Sequence, residues 1–252
     1  SCASGTVAVG EAMRYIRDGF ADVILAGGAE SPLSPLTFGA FAIIKTMSQW
    51  KGDPHLSCRP FDLNRDGFVI GEGAASLVIE ELEHARQRGA HIYAEILGYS
   101  LNNDAFHMTT PLPTGESCMR AMREALADAG LTPEQIDYIN AHASSTQLND
   151  ATETLAIKQV FGETSRRVPV SGTKAFTGHP LGATGAIEAT ICALALEHQR
   201  VPPTLHRDHP DENCDLDIVP HHGRSANLDY VMSNSFGFGG INACVILGRP
   251  RD

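Results

Sequence analysis

The chain of 252 residues is poor in positive charge and has no long apolar segment. It carries 19 lysines and arginines against 30 aspartates and glutamates, which gives a formal net charge of −11. This shortage of cations argues against nucleic acid as the main partner. The sequence contains no run of about 18 consecutive apolar residues, so it predicts no membrane-spanning helix.

Paired cysteines are also lacking. None of the six cysteines forms a C-x-x-C motif, and most lie within apolar patterns, such as Cys192 in a helix and Cys244 in a strand. This predicts reduced, buried thiols in a cytoplasmic protein. One cluster of four histidines and a cysteine suggests a metal site, but its spacing matches no zinc-binding pattern, so no metal site is predicted. Its members are His206, His209, Cys214, His221 and His222.

Helical and strand patterns alternate along the chain, which predicts an α/β fold with layered helices and sheets. The predicted helices cover 3–17, 36–47, 81–88, 115–129, 150–161 and 181–197. The predicted strands cover 22–26, 74–79, 92–101, 138–140, 168–173, 230–235 and 243–247, with 74–79 expected to be buried. Gly89 separates two halves, 1–90 and 91–252, which we take as candidate domains.

Cys2 stands at the start of the first predicted helix. Unpaired N–H groups and the positive end of the helix dipole favour a thiolate at such a position, so a reactive nucleophile is predicted. The alternative is a buried cysteine that acts as a small hydrophobic residue.

His142, Lys174 and His179 lie in segments rich in glycine, serine and threonine, beside the ends of predicted core elements. Taken singly, each histidine has a structural alternative, and a lysine at the end of a strand usually extends to solvent. Active sites of α/β folds gather at strand ends, however. With Cys2, these residues make a set suited to acyl transfer.

The segment 234–243 places Phe236 and Phe238 in a glycine-rich turn between two strands. It is either a tight hairpin or a mobile gate, because glycines on both sides of an aromatic residue let it move. A dinucleotide-binding loop is excluded, since Asn242 stands where a third glycine is needed and a strand follows instead of a helix.

Several motifs in this order resemble the β-ketoacyl-[acyl carrier protein] synthases of the type II branch. They are Cys-Ala-Ser-Gly at 2–5, Ala-Gly-Gly-Ala-Glu at 26–30, Arg-Pro-Phe-Asp at 59–62, Asn-Arg-Asp-Gly-Phe-Val-Ile-Gly-Glu-Gly-Ala at 64–74, Asp-Ala-Phe-His-Met-Thr at 104–109, Asn-Ala-His at 140–142, Lys-x4-His-x-Leu-Gly-Ala-x-Gly-Ala-x-Glu from 174, and Asn-Ser-Phe-Gly-Phe-Gly-Gly from 234. The resemblance implies a thiolase-like fold of α-β-α-β-α layers in two related halves, working as a homodimer. It also implies that an N-terminal portion preceding Cys2 is missing, so that 1–90 is the remainder of the first half.

The resemblance further implies a decarboxylative condensation that elongates fatty acyl chains by two carbons. Cys2 would carry the acyl chain as a thioester, while His142 and His179 would stabilise the enolate of a malonyl thioester. Lys174 and Glu188 would support these histidines. The substrates would arrive on the phosphopantetheine of acyl carrier protein, and no other cofactor, nucleic acid or membrane is expected.

The same resemblance assigns the remaining site residues. Backbone N–H groups of Cys2 and Phe238 would form the oxyanion hole, and Phe238 with Phe236 would gate the acyl pocket. The expected substrate-binding residues are Ser144, Thr146, Phe41 and Thr109, and Lys45 is expected to dock the carrier protein.

The chain departs from the family in one motif, because the usual His-Gly-Thr-Ser-Thr reads His-Ala-Ser-Ser-Thr at 142–146. Three other functions compete with the main one. A polyketide ketosynthase shares the chemistry. A partner subunit that lacks the nucleophile is disfavoured by the presence of Cys2 with both histidines, whereas an inactive fragment of a condensing enzyme stays an alternative. A papain-like hydrolase has no place for the lysine–histidine motif.

Overall fold

The structure is a computed structural model that describes residues 1–251. The helices are α1 (Ser4–Arg17), α2 (Pro35–Ile44), α3 (Leu82–Gln87), α4 (Glu116–Ala129), α5 (Gln147–Phe161), α6 (Lys174–Thr177) and α7 (Thr184–His198). The strands are β1 (Val23–Glu30), β2 (Gly73–Glu80), β3 (Glu95–Asn103), β4 (Tyr138–Asn140), β5 (Pro169–Ser171), β6 (Arg200–Val201), β7 (Asp217–Ile218), β8 (Arg224–Ser225), β9 (Tyr230–Gly237) and β10 (Ile241–Gly248).

A mixed sheet of six strands forms the centre of the fold, in the order β3-β10-β9-β4-β5-β7. β3, β10 and β9 pair antiparallel, whereas β9, β4, β5 and β7 run parallel. Asn140 and Ser171 end the paired parts of the two short parallel strands side by side. The segments that follow them, which lead to His142 and Lys174, therefore leave the sheet at the same end of the parallel strands.

Helices cover both faces of this sheet. On one face α4 and α5 enclose a core that includes Met122, Ile139 and Ile157. On the other face α1 and α7 lie between the central sheet and the two-stranded β1–β2 sheet, with Val9 and Cys192 in the shared core. The layers are thus β-α-β-α, and the predicted α/β class is confirmed.

The β1–β2 sheet differs from the prediction in length and burial. β1 runs through Gly27 and Gly28 to Glu30, four residues beyond the predicted end at residue 26. A Cβ atom at Gly28 would lie 2.9 Å from the Cα atom of Ala183. Glycine therefore permits β1 to pass close to the turn that precedes α7. The expected burial of β2 is wrong, because its residues alternate between the helix-facing side and an outer side on which Val78 is exposed.

The predicted helices and strands are otherwise found, with shifted ends. α2 stops at Ile44, three residues early, and α5 begins three residues early because the Thr146 side chain caps its N-terminus. The two-residue strands β6, β7 and β8 were not predicted, since so short a segment carries no detectable periodicity. None of the helices in the described part of the chain combines the length and apolar composition that a bilayer crossing requires.

Helices α1 and α7 approach each other closely at Gly5. A Cβ atom there would lie 2.4 Å from the backbone nitrogen of Ala186, which cannot move without shifting α7. We predict that Gly5→Ala lowers the free energy of unfolding by about 1–3 kcal/mol, as overpacking of a core does.

The matched control is Gly39→Ala in α2, where an added Cβ atom would meet nothing within 4 Å. It is expected to raise the free energy of unfolding by up to about 1 kcal/mol, because alanine favours helix over glycine. Urea unfolding curves measure both, and equal effects of the two substitutions would contradict the close approach.

Candidate active site

One cavity of about 290 Å³ brings Cys2, His142 and His179 to a common space. These residues come from the segment before α1, the loop after β4 and the loop between α6 and α7. The predicted residues Lys45, Thr109, Ser144, Thr146, Phe236 and Phe238 also line this cavity. Groups far apart in sequence therefore converge on one site.

Cys2 precedes the first turn of α1 as predicted, but its sulfur is not activated by that position alone. Burial raises the pKa of the Cys2 thiol, and this effect outweighs the backbone hydrogen bond of Phe238 and the charge of Lys174, which lower it. Burial therefore opposes the predicted thiolate and favours the thiol form of the sulfur.

The rings of His142 and His179 lie with centroids 5.4 Å apart and planes at 79°. Burial, followed by the charge of Lys174, lowers the pKa of both histidines well below the ordinary value. Both rings are thus neutral at pH 7 and can each donate one N–H. The Nδ1 atom of His179 lies 3.0 Å from the Thr184 hydroxyl, which leaves Nε2 for a ligand.

Lys174 is fully buried, which excludes the alternative that its side chain extends to solvent from a strand end. β5 ends at Ser171, and Lys174 begins the short helix α6. Its Nζ atom donates to Glu188 Oε1 at 2.6 Å and to the backbone carbonyl of His142. Burial raises the pKa of Glu188 to about 7, against the opposing charge of Lys174. A buried cation of this kind persists only because it is paired.

Glu153 on α5 supports the His142 loop and was missed by the sequence analysis. Its carboxylate accepts hydrogen bonds from the backbone nitrogens of His142 at 2.9 Å and Ala143 at 2.8 Å, and from the Asn234 side chain at 3.2 Å. Glu153 is fully buried, and its pKa is raised to about 7, with burial as the largest cause. A glutamate in a helix carries no sequence signal for such a contact.

The loop after His142 has an unusual backbone. Ala143 and Ser145 adopt φ angles of 41° and 67°, in the left-handed region that favours glycine. Ala143 is the position at which the resembling family has glycine. The hydroxyls of Ser144 and Thr146 lie 2.9 Å apart and both residues line the cavity.

Four phenylalanines pack at the cavity. Phe238 stacks on Phe41 with a centroid distance of 6.3 Å, and Phe236 lies 6.1 Å from the His142 ring. Phe41 itself is not among the residues that line the cavity but packs behind Phe238. Phe68, which was not predicted, contacts the His179 ring edge-on at 5.4 Å.

Lys45 and Thr109 line the cavity from two different segments of the chain. Lys45 follows α2 in the left-handed conformation and is exposed to solvent. Thr109 belongs to the loop after β3, where its backbone nitrogen contacts the His107 ring at 3.1 Å. Lys174 and Glu188 do not line the cavity and act behind His142. Residues 1–251 hold no group of three potential metal ligands.

Two sequence-family models match the chain. The β-ketoacyl synthase N-terminal domain covers residues 1–85, and the β-ketoacyl synthase C-terminal domain covers residues 93–208. The chain belongs to the β-ketoacyl synthase family. The resemblance inferred from the motifs is thereby confirmed.

Among its relatives in this family, the 3-oxoacyl-[acyl-carrier-protein] synthase 2 of Coxiella burnetii is 48% identical over 252 residues. That alignment covers 100% of this chain and 61% of the relative. The enzyme of the same name from Staphylococcus aureus is 48% identical over 249 residues, covering 99% of this chain and 60% of the relative. The chain thus spans about three fifths of the length of these synthases.

Solved ketosynthases share the fold. A type II polyketide ketosynthase in complex with its acyl carrier protein, bound to the hexaketide, superposes with a TM-score of 0.97 at 43% identity, covering 99% of this chain and 62% of the other. A β-ketoacyl synthase from Burkholderia phymatum superposes with a TM-score of 0.94 at 45% identity, covering 99% and 60%. These neighbours have the thiolase-like fold, which confirms the predicted fold class.

The two neutral histidines make a prediction about stability. Their folded pKa values lie below the unfolded value of about 6.5, so under about pH 6.5 the unfolded chain binds more protons than the native one. Stability therefore falls as the pH drops through that value. Each histidine contributes up to about 1.4 kcal/mol per pH unit to the slope.

We predict that the double variant His142→Asn/His179→Asn shows a shallower loss of stability between about pH 6.5 and about pH 5 than the unaltered protein. The free energy of unfolding in urea, measured across this range, tests it. The control His55→Asn replaces an exposed histidine and should keep the original slope. A double variant with the original slope would show that the buried rings bind protons in the native state.

Proposed function

We propose that the protein containing this chain catalyses decarboxylative condensation of an acyl thioester with malonyl-acyl carrier protein, which elongates a fatty acyl chain by two carbons. The observation that carries the proposal is the cavity, in which a cysteine faces two buried neutral histidines. The names of the relatives point to the same reaction.

The first step loads the acyl chain onto Cys2. The sulfur attacks the carbonyl of the acyl thioester, a new C–S bond forms, and the bond to the carrier sulfur breaks. Burial favours the thiol form of the Cys2 sulfur. Starting from the thiol, the proton leaves during the attack, and the net step delivers it to the departing carrier sulfur. Backbone N–H groups of Cys2 and Phe238 would stabilise the oxyanion that forms at the carbonyl.

The second step generates the carbon nucleophile. The bond between the malonyl carboxylate and its α-carbon breaks, CO2 leaves, and the electron pair moves toward the thioester oxygen as an enolate. N–H groups of His142 and His179 would donate hydrogen bonds to this oxygen. Neutral rings suit this role, since each retains one N–H without placing two further cations beside Lys174.

The third step forms the carbon–carbon bond. The enolate carbon attacks the acyl carbonyl on Cys2, and the C–S bond breaks to release a β-ketoacyl thioester on the carrier. The released sulfur takes up a proton and returns to its resting thiol. Over the three steps the products are the β-ketoacyl thioester, CO2 and the unloaded carrier thiol from the first step. One proton is taken up from solvent, and no redox partner is required.

The remaining residues would bind and orient the substrates. Ser144, Thr146 and Thr109 would contact the phosphopantetheine arm, and this arm is the only prosthetic group we assign. Phe238 and Phe236 would gate the acyl pocket, with Phe41 packed behind the gate. The exposed Lys45 would contact an acidic carrier protein. Lys174, Glu188 and Glu153 would hold the His142 loop.

We further propose that residues 1–90 and 91–252 are parts of two related halves, one with the nucleophile and one with the histidines. The protein would act as a homodimer in the cytoplasm.

Polyketide synthesis is a second candidate, because the polyketide ketosynthase named above superposes with a TM-score of 0.97. The two functions share every step described and differ in the number of condensations on one chain. Fatty acid elongation adds one malonyl unit before the β-keto group is processed, whereas polyketide synthesis repeats the addition.

We predict that Cys2→Ala abolishes condensation of acyl- and malonyl-acyl carrier protein, because no thioester can form on the enzyme. Mass spectrometry of the carrier-bound products measures the loss in the variant. With the unaltered protein, the same measurement counts the malonyl units added. One unit supports elongation, and several units on one chain support the polyketide candidate. The control Cys192→Ala removes a buried thiol of α7 outside the cavity and should remain active. An elongating Cys2→Ala variant would disprove the nucleophile.

We predict that His142→Ala and His179→Ala each slow malonyl decarboxylation about 10²–10³-fold, the typical loss for one oxyanion donor. Release of labelled CO2 from malonyl-acyl carrier protein measures this step. Replacement of the exposed His55 serves as the control. Undiminished CO2 release in both cavity variants would remove the enolate-stabilising role.

A further inference from the structure

A buried arginine fastens the loop that follows His142. Arg65 is 4% exposed and comes from the segment between α2 and β2. Its Nε atom donates to the carbonyl of Thr146 at 3.1 Å, and its Nη2 atom donates to the carbonyl of Gln147 at 3.0 Å. One planar guanidinium thus holds two consecutive carbonyls where the loop ends and α5 begins.

Acidic groups fix the guanidinium itself. Asp211 accepts from Nη1 at 2.6 Å, and the carboxylate of Asp150 lies 3.7 Å from Nε. Asp150 also reaches the loop directly, because it accepts from the backbone nitrogen of Ser145 at 3.2 Å. The same loop residue accepts a hydrogen bond from Gly67, two residues after Arg65. Contacts from Arg65 and Gly67, together with Asp150 on α5, therefore hold the backbone of the loop.

The loop needs such support. Ala143 and Ser145 both hold left-handed backbone conformations that are unfavourable for residues other than glycine. A strained backbone persists only where its surroundings determine it. Ser144 lies between these two residues, and Thr146 follows them directly. Both Ser144 and Thr146 line the cavity.

We infer that Arg65 is a positioning residue that sets the affinity for the phosphopantetheine arm by fixing the hydroxyls of Ser144 and Thr146. The inference rests on the proposed function for the identity of the ligand. Arg65 does not line the cavity, so it acts on the ligand only through the loop. Cys2 and His179 lie on other segments and do not contact its guanidinium.

Lysine cannot replace this arginine. An ammonium group keeps the charge beside Asp211 but lacks the planar fork that binds two carbonyls at once. Arg65→Lys is therefore expected to weaken binding of coenzyme A, which carries the same arm, about tenfold in calorimetry, the effect of losing roughly one hydrogen bond. The KM for malonyl-acyl carrier protein should rise by the same factor, with kcat unchanged at saturation.

Alkylation of Cys2 by iodoacetamide separates positioning from general loosening, since this reagent does not use the arm. The rate should stay within about twofold of the unaltered protein, because the contacts of Arg65 do not reach the sulfur. A parallel loss of arm affinity, kcat and alkylation rate would reduce Arg65 to a structural role and overturn the inference. An unchanged dissociation constant for coenzyme A in a folded Arg65→Lys variant would also overturn it.

A milder pair of variants covers the case in which Arg65→Lys does not fold. Asp211→Asn removes the negative charge that pairs with the Arg65 guanidinium, whereas Asp215→Asn removes the negative charge of the exposed pair with Lys158. The first should weaken coenzyme A binding and the second should not, and equal affinities would reject the inference. Unaltered protein that binds coenzyme A without condensing thioesters would contradict the proposed function but leave this comparison valid. Absence of coenzyme A binding by the unaltered protein would overturn the inference.

Discussion

The site depends on a single buried cation. Lys174 has no access to water, and it is held by the carboxylate of Glu188 and the carbonyl of His142. Its charge opposes protonation of both neighbouring imidazoles and also favours ionisation of Cys2. One ammonium group therefore adds to the effect of burial on the two histidines and opposes it at Cys2, although it does not line the cavity itself. Removing either partner of the pair would leave an uncompensated charge in the interior.

The segment 65–71 contacts both of the loops that carry the two histidines. Arg65 and Gly67 contact the loop after His142, while Val69 and Gly71 form backbone hydrogen bonds with His179. The relative position of the two histidines is thus fixed from outside the loops that carry them. This arrangement explains why short, irregular loops can hold two rings at a constant separation.

Much of this could be predicted from the sequence, and the remainder has identifiable causes. The stripe of Val9, Ala12 and Met13 predicts α1 because periodicity is a local property. Motifs identified Cys2, His142 and His179, which do share the cavity. Burial is not local. The sequence therefore carries no sign of the burial that opposes ionisation of Cys2, or of how completely Lys174 is enclosed, since both depend on how much protein surrounds these groups.

Glu153 and Phe68 were missed for a related reason. Glu153 resembles any helical glutamate, and its contacts with the His142 loop arise only when α5 packs beside β9. Phe68 is apolar in an apolar segment, and nothing in its neighbours along the chain signals the contact with His179. Neither contact could therefore be inferred from the residue alone.

The close approach of α1 and α7 limits how this part of the chain can evolve. Gly5 has no room for a methyl group beside Ala186, and Gly185 has none beside Thr6. Each of the two helices begins a few residues after a proposed reactive group, Cys2 for α1 and His179 for α7. Any residue that wedged these helices apart would shift the sulfur relative to the imidazole. Selection for turnover would then preserve small residues at positions that never meet a substrate. Neutral substitutions would be confined to the faces of α1 and α7 that point away from their contact.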